Sequence, residues 1–342
     1  MVYLKSVTIL FTAILGLVSA DVASISECPK LAARKTAAKD VTDLRIDDIQ
    51  IIAALGDSIM AGFGMMGVNN GEGGTGILNF SSVLEFRGSS YGIGGDTDAV
   101  TLANFAKHYN PKVYGASTLS HLASLCYGPL CIPPLSICIK AHFLLSGGYS
   151  TAWKMITIQI GSNDQCASCN PLISKYATPE AYGKYVEAAI QRIQKEIPKT
   201  VVNLLGAFKV SGVSTLTENE TKYCKPNLIL NNKLECSCFG SSDKLASMDS
   251  VSDGYNKQLQ AIAAKYPGKP GGTFAVMYSP APIDILSFPI DALSLKGHQW
   301  IAKAFWNQLF LGKSLKPSVL KFDSNLKIRC PTEDDRLPTT ST

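Results

Sequence analysis

The chain has 342 residues, of which 17% are charged, and its formal net charge is +5. Roughly a quarter of the residues in a soluble protein are usually charged, so this chain is poor in charge. The composition excludes a disordered, collagen-like or coiled-coil chain. Lys and Arg are spread along the sequence, so we expect no nucleic-acid partner.

The first twenty residues are predicted to be a secretory signal peptide. Lys5 supplies the basic start, and residues 6–18 form an apolar stretch that is short for a bilayer span. Val18-Ser19-Ala20 fits a cleavage pattern, with the cut expected before Asp21. A membrane anchor is the alternative for this segment. No second segment is long and apolar enough to span a membrane, so we expect a secreted, extracellular protein.

Four continuous apolar runs predict strands that are buried on both faces, as in a parallel sheet. These runs are residues 49–55, 155–160, 201–205 and 274–278. Three apolar patterns predict helices over residues 179–197, 255–266 and 298–310, the first with Thr178 as N-cap and Pro198 as its stop. Strands that alternate with helices predict an α/β fold, and we expect one domain over residues 21–342.

The ten cysteines indicate disulfides, because an exported protein folds under oxidising conditions. The Cys166-x-x-Cys169 and Cys236-x-Cys238 spacings leave metal ligation as an alternative, although no His or Cys completes a zinc pattern. We expect no metal and no cofactor. Sequons at Asn79 and Asn219 are consistent with a secreted glycoprotein.

Two predicted strands end in residues that can carry chemistry. Gly56-Asp57-Ser58 follows the first strand, and Gly161-Ser162-Asn163-Asp164 follows the second. Reactive residues of a parallel sheet lie at the carboxyl ends of its strands. Ser58 could act as a nucleophile and Asn163 could donate an N–H to an oxyanion, but both segments also fit ordinary turns.

Together, these segments resemble the GDSL, or SGNH, hydrolases, and more closely the phospholipase B-like branch of that family. The resemblance rests on these segments together with their flanking and neighbouring residues. The matching stretches are 54–58, 86–96, 101–104, 109–111, 153–157, 161–166 and 300–307. The resemblance implies a three-layer α/β/α sandwich with a parallel sheet. It also implies a serine hydrolase of carboxylic esters, with phospholipids and lysophospholipids as the expected substrates. Because a mildly basic secreted lipase can meet anionic bilayers, we also expect transient contact with a membrane surface.

The resemblance also implies roles for individual residues. Ser58 would be the nucleophile, and its backbone N–H would form the oxyanion hole with the Asn163 side chain. Gly95 is a candidate for the glycine that completes this hole, although this branch is expected to take that glycine from an Asn-x-Ala-x-x-Gly segment. No such segment occurs here, and residues 131–149 look unlike the family.

The largest departure from the family is the missing catalytic Asp-x-x-His element. Counting back from Gly297-His298, the histidine would fall on Ala292 and the aspartate on Pro289. His298 is then the candidate substitute for the base, with a structural role at the start of the last helix as its alternative. The alternative for the whole chain is a catalytically impaired relative, a pseudoenzyme or the product of a truncated gene model, that retains the fold and binds lipid. The oligomeric state is not predicted.

Overall fold

The computed structural model describes residues 21–66, 84–122, 148–219, 236–289 and 294–340. The strands in these ranges are β1 (Ile49–Gly56), β2 (Leu84–Glu85), β3 (His121–Leu122), β4 (Trp153–Gln159), β5 (Thr200–Leu205), β6 (Phe274–Ser279), β7 (Ile283–Asp284) and β8 (Leu320–Lys321). The α-helices are α1 (Leu102–Tyr109), α2 (Ser162–Ala167), α3 (Pro179–Glu196), α4 (Ser211–Asn219), α5 (Ser242–Lys265) and α6 (Leu295–Gln308). The predicted signal peptide lies outside the described residues.

The core of the fold is a parallel sheet in the order β1-β4-β5-β6. Every residue of β4 and β5 is buried, as continuous apolar runs predict for central strands. All four predicted strands are confirmed, with ends that differ by at most two residues. The two short pairs, β2 with β3 and β7 with β8, lie outside this sheet.

Helices cover the two faces of the sheet. On one face, Ile190 of α3 and Leu259 of α5 belong to the apolar cluster of Ile156 and Val202. On the other face, α1 and α6 supply the aromatic residues of a second cluster that includes Met155. The predicted three-layer α/β/α sandwich is therefore confirmed.

The ends of α3 follow the local sequence. The Thr178 side chain accepts a hydrogen bond from Ala181 N–H at 3.2 Å, and Pro179 occupies the first helical position. Both features are favourable at a helix N-terminus. The helix ends at Glu196, two residues before Pro198.

The predicted start of α5 at residue 255 was wrong, because the helix begins at Ser242. Its first half is rich in Ser, Asp and Gly, which favour helices weakly. Packing stabilises this half, since Met248 and Ser252 are fully buried. A side chain at Gly254 would collide with the Pro179 ring, so glycine allows α5 to pass close to the start of α3.

Three disulfides are formed by the described cysteines. Cys28 pairs with Cys330, Cys166 with Cys236, and Cys169 with Cys238. The last two pairs exclude metal ligation by the 166/169 and 236/238 spacings. They also connect the end of α2 to the turn before α5. The other four cysteines lie outside the described residues.

Candidate functional site

The carboxyl ends of β1 and β4 lie side by side. Their parallel register pairs Gly56 with Gln159, the last residues of the two strands. A side chain at Gly56 would collide with the Gln159 carbonyl and with Met60. Glycine therefore allows the chain to turn tightly where β1 ends.

Ser58 and Asn163 follow these two strand ends, and both are exposed. Ser58 lies in a turn that is held by a 2.9 Å hydrogen bond from Phe63 N–H to its carbonyl. Asn163 is the second residue of α2. Within the described ranges, the Ser58 hydroxyl and the Asn163 amide group make no hydrogen bond, so both groups are available to a ligand.

Asp57 joins the two strand ends. One oxygen of its carboxylate accepts a hydrogen bond from Ile59 N–H at 3.1 Å. The other oxygen accepts one from Ser162 N–H, also at 3.1 Å. One carboxylate thus contacts the residue after Ser58 and the residue before Asn163.

Gly161 shapes the entry into α2. Its φ of +121° lies in the region that favours glycine, and the ring of Tyr182 leaves little room for a side chain. Tyr182 stacks on Tyr255 with ring centroids 4.0 Å apart, and its hydroxyl donates to the Ile160 carbonyl at 3.0 Å. These aromatic residues fix the end of β4.

Asp164 is the other carboxyl group near the strand ends. Burial raises its pKa above the ordinary value, and the negative charge of Asp57 acts in the same direction. A hydrogen bond from its own backbone N–H opposes the shift. Ionisation of Asp164, which directly follows Asn163, is therefore less favourable than that of an ordinary aspartate.

The geometry argues against Gly95 as an oxyanion donor. Its backbone N–H donates to the Ser117 carbonyl at 2.7 Å, which engages the group that an oxyanion would need. The Gly95 segment is fixed against residues 116 and 117, because a side chain at Gly95 would collide with Ala116. We therefore leave Gly95 out of the proposed oxyanion hole.

His298 is buried at the start of α6, and its contacts do not suit a general base. Its Nδ1 accepts a hydrogen bond from Tyr91 N–H at 3.3 Å, so the proton of the neutral ring lies on Nε2. Burial lowers the pKa of His298 to about 4. Tyr91 also donates its hydroxyl to Gln159 at 3.2 Å. His298 thus supports Tyr91, which contacts the end of β4.

Two further side chains that could carry chemistry, His108 and Ser90, give no second site. Pro289 is exposed, and Ala292 lies outside the described residues. His108 contacts the Cys28 carbonyl and Lys30, as expected for a structural residue. Ser90, the centre of a G-x-S-x-G match, is fully buried and donates to the Met60 carbonyl. No cluster of three metal-ligating side chains occurs among the described residues.

Sequence reasoning missed Asp57 and Tyr91. An Asp that precedes a turn often accepts the N–H two residues later, so the Ile59 contact could have been predicted. The Ser162 contact joins residues 105 positions apart and has no local signal. The contact between Tyr91 and His298 spans 207 positions, so it also depends on the folded structure.

Comparison with known proteins identifies similar chains. A family model described as GDSL-like Lipase/Acylhydrolase matches residues 52–305. Phospholipase B1, membrane-associated, from Homo sapiens is 26% identical over 337 residues, which cover 90% of this chain and 22% of that protein. The protein of the same name from Rattus norvegicus is 28% identical over 327 residues, with 86% and 21% covered.

The chain therefore spans about a fifth of the length of these curated relatives. The family match covers more than half of the chain and includes both strand ends. No α-helix within the described ranges has the length and apolar character needed to cross a bilayer.

Proposed function

Because the chain belongs to the GDSL-like lipase/acylhydrolase family, a family of carboxylic ester hydrolases, we propose that it acts on phospholipids and lysophospholipids. The observation that carries this proposal is the pair of exposed groups, Ser58 and Asn163, at adjacent strand ends. The relatives named phospholipase B1 support the choice of lipid substrate.

In the proposed reaction, Ser58 Oγ attacks the carbonyl carbon of the ester. The carbonyl oxygen becomes negative and receives hydrogen bonds from Asn163 Nδ2 and from the Ser58 backbone N–H. The alcohol leaves with a proton as an acyl-enzyme forms, and water then hydrolyses that ester to release the fatty acid and restore Ser58.

The proton of the Ser58 hydroxyl needs an acceptor. His298 could fill this role only if it gave up the Tyr91 contact, because that hydrogen bond occupies Nδ1, the basic nitrogen of the ring. We therefore expect slow turnover, because a serine hydroxyl without a base is a poor nucleophile. Loss of a triad member in serine proteases leaves about 10³- to 10⁴-fold catalysis over water.

A fluorophosphonate probe tests the nucleophile. We expect slow covalent labelling of the wild-type chain and none of Ser58→Ala, since the probe reacts at the Ser58 hydroxyl and the lack of a base slows that attack. Ser247→Ala is the matched control, because Ser247 is an exposed serine on α5. Equal labelling of Ser58→Ala and wild type would contradict the proposal. Binding of lysophospholipid without labelling would favour the catalytically impaired alternative.

We also propose that the strand-end region touches lipid surfaces transiently. Exposed apolar side chains occur in the segments that follow β1 and β4, namely Phe63, Met66, Leu172, Ile173 and Tyr176. We expect Leu172→Asp to weaken sedimentation with phosphatidylcholine vesicles, because a charge opposes insertion into the interface. Tyr185→Asp on α3 is the control, and an equal loss there would contradict the assignment.

Export of the protein is the last part of the proposal. The apolar stretch at residues 6–18 supports a signal peptide, and the disulfides fit an oxidising compartment. Expression of the full chain in a secreting cell should release a protein whose first residue is Asp21. N-terminal sequencing of the medium fraction checks this, and retention of Met1 in the medium or failure to leave the cell would contradict it.

A further inference from the structure

We propose that Asp57 is a positioning residue that fixes the Ser58 turn against the start of α2, so that Ser58 and Asn163 face the same carbonyl group. This inference rests on the proposed function and adds a residue to its machinery. Asp57 would not touch the reacting atoms itself. It would act through the two main-chain segments that it connects.

The contacts of the Asp57 carboxylate support this role. Pairing between β1 and β4 ends at Gly56 and Gln159, so the sheet no longer aligns the chains beyond that point. Beyond the sheet, the hydrogen bond from Ser162 N–H to the Asp57 carboxylate joins the segment after β1 to the segment after β4. Asn163 directly follows Ser162, so the position of the Ser162 backbone determines where the Asn163 side-chain amide lies.

The second contact orients the nucleophile. Ile59 N–H donates to the other oxygen of Asp57, which closes a turn around Ser58. A displacement of the carboxylate would therefore move both segments. Misplacement of reacting groups by about 1 Å can cost about 10²-fold in rate.

The chemistry of the two contacts requires a carboxylate. An ionised carboxyl group offers two acceptor oxygens, and hydrogen bonds to a charged acceptor are the stronger kind. An asparagine offers one acceptor oxygen and one NH2 group, so one of its two ends would face a backbone N–H with another donor. Asp57→Asn therefore removes one contact with almost no change in size.

A double-mutant cycle tests the role through the kinetics of fluorophosphonate labelling. For Asp57→Asn we expect the maximal labelling rate to fall about 10- to 100-fold, while the probe concentration at half-maximal rate stays within about twofold. Because Asp57 positions Ser58 relative to Asn163, adding Asp57→Asn to Asn163→Ala should cause a smaller loss than Asp57→Asn causes in wild type. Multiplication of the two separate losses would overturn the proposal.

NMR of the amide protons separates this proposal from the proposed function. In wild type, the Ser162 and Ile59 amide protons should both be protected from exchange with solvent, because each donates to Asp57. Asp57→Asn should speed the exchange of at least one of them, whereas Asp253→Asn, on the exposed side of α5, is the control. If wild type is not labelled, the proposed function fails and the exchange rates alone decide the positioning claim. Wild-type Ser162 and Ile59 amides that exchange as fast as exposed, unbonded amides would overturn it, even if Asp57→Asn does not fold.

Discussion

At the scale of single residues, His298 couples the fold to pH. The imidazole is 7% exposed and is neutral in the native state, since burial lowers its pKa from 6.5 to about 4. The unfolded chain binds a proton below pH 6.5, whereas the native chain binds one only near pH 4. Native stability should therefore decrease as the pH falls through this window.

His298→Asn should flatten this dependence, because the amide oxygen can accept the Tyr91 N–H without titrating. Between pH 6.5 and 4, wild type should lose at most about 3 kcal/mol of unfolding free energy through this group. Urea unfolding at a series of pH values measures the effect. His121→Asn is the control, because His121 is exposed. The same pH slope in wild type and His298→Asn would contradict the assignment.

The same variant also tests the catalytic role suggested by the sequence. Because Nδ1 of His298 is occupied by the Tyr91 contact, we expect the rate of probe labelling in folded His298→Asn to stay within about tenfold of wild type. Removal of a catalytic group would lower that rate by roughly 10⁴-fold. A loss of three orders of magnitude or more would instead identify His298 as the base. This result would require His298 to give up the Tyr91 contact during the reaction.

At the scale of elements, the turn between β4 and α2 depends on Gly161. Gly161→Ala should cost about 1–3 kcal/mol from backbone strain, and it should also displace the Tyr182 ring. We expect a lower urea midpoint and loss of probe labelling, because α2 carries Asn163. Gly271→Ala is a matched control, since Gly271 also has positive φ but no atom within 4 Å of an added Cβ. Retained labelling in Gly161→Ala would contradict this dependence.

The elements that sequence predicted best are those with uniform patterns. The runs that became β1, β4, β5 and β6 are mostly apolar, with few polar residues among them. Helix α3 has a clear N-cap and a proline shortly after its end. The first half of α5 was missed because its residues favour turns, and only contacts with distant segments make it helical. Local preference was thus overridden by packing.

The site residues also divide into those that a sequence pattern predicts and those that depend on contacts with distant segments. The proximity of Ser58 and Asn163 follows from the rule that parallel strands end at one edge of the sheet. The engaged N–H of Gly95 and the occupied Nδ1 of His298 depend on partners far away in sequence. No local pattern could have revealed these two contacts.

At the scale of the whole molecule, the Cys28–Cys330 disulfide links the beginning and end of the described chain. Both cysteines are buried in the apolar cluster to which α1 and α6 contribute their aromatic residues. Replacement of both by serine should lower the unfolding free energy by about 2–5 kcal/mol, because the unfolded chain gains freedom. Urea unfolding measures this change, with the exposed Ser247→Ala as the control. An unchanged midpoint would contradict the prediction.

The same disulfide determines how the molecule would respond to mechanical force. The two cysteines are 302 positions apart, so the chain between them could extend by roughly 1,000 Å if it were free. A pull applied outside residues 28 and 330 is carried directly by the sulfur–sulfur bond, and the parallel sheet bears no tension. The edge that holds Ser58 and Asn163 would therefore keep its shape under a load that stretches the flanking chain, until a reductant opened that bond.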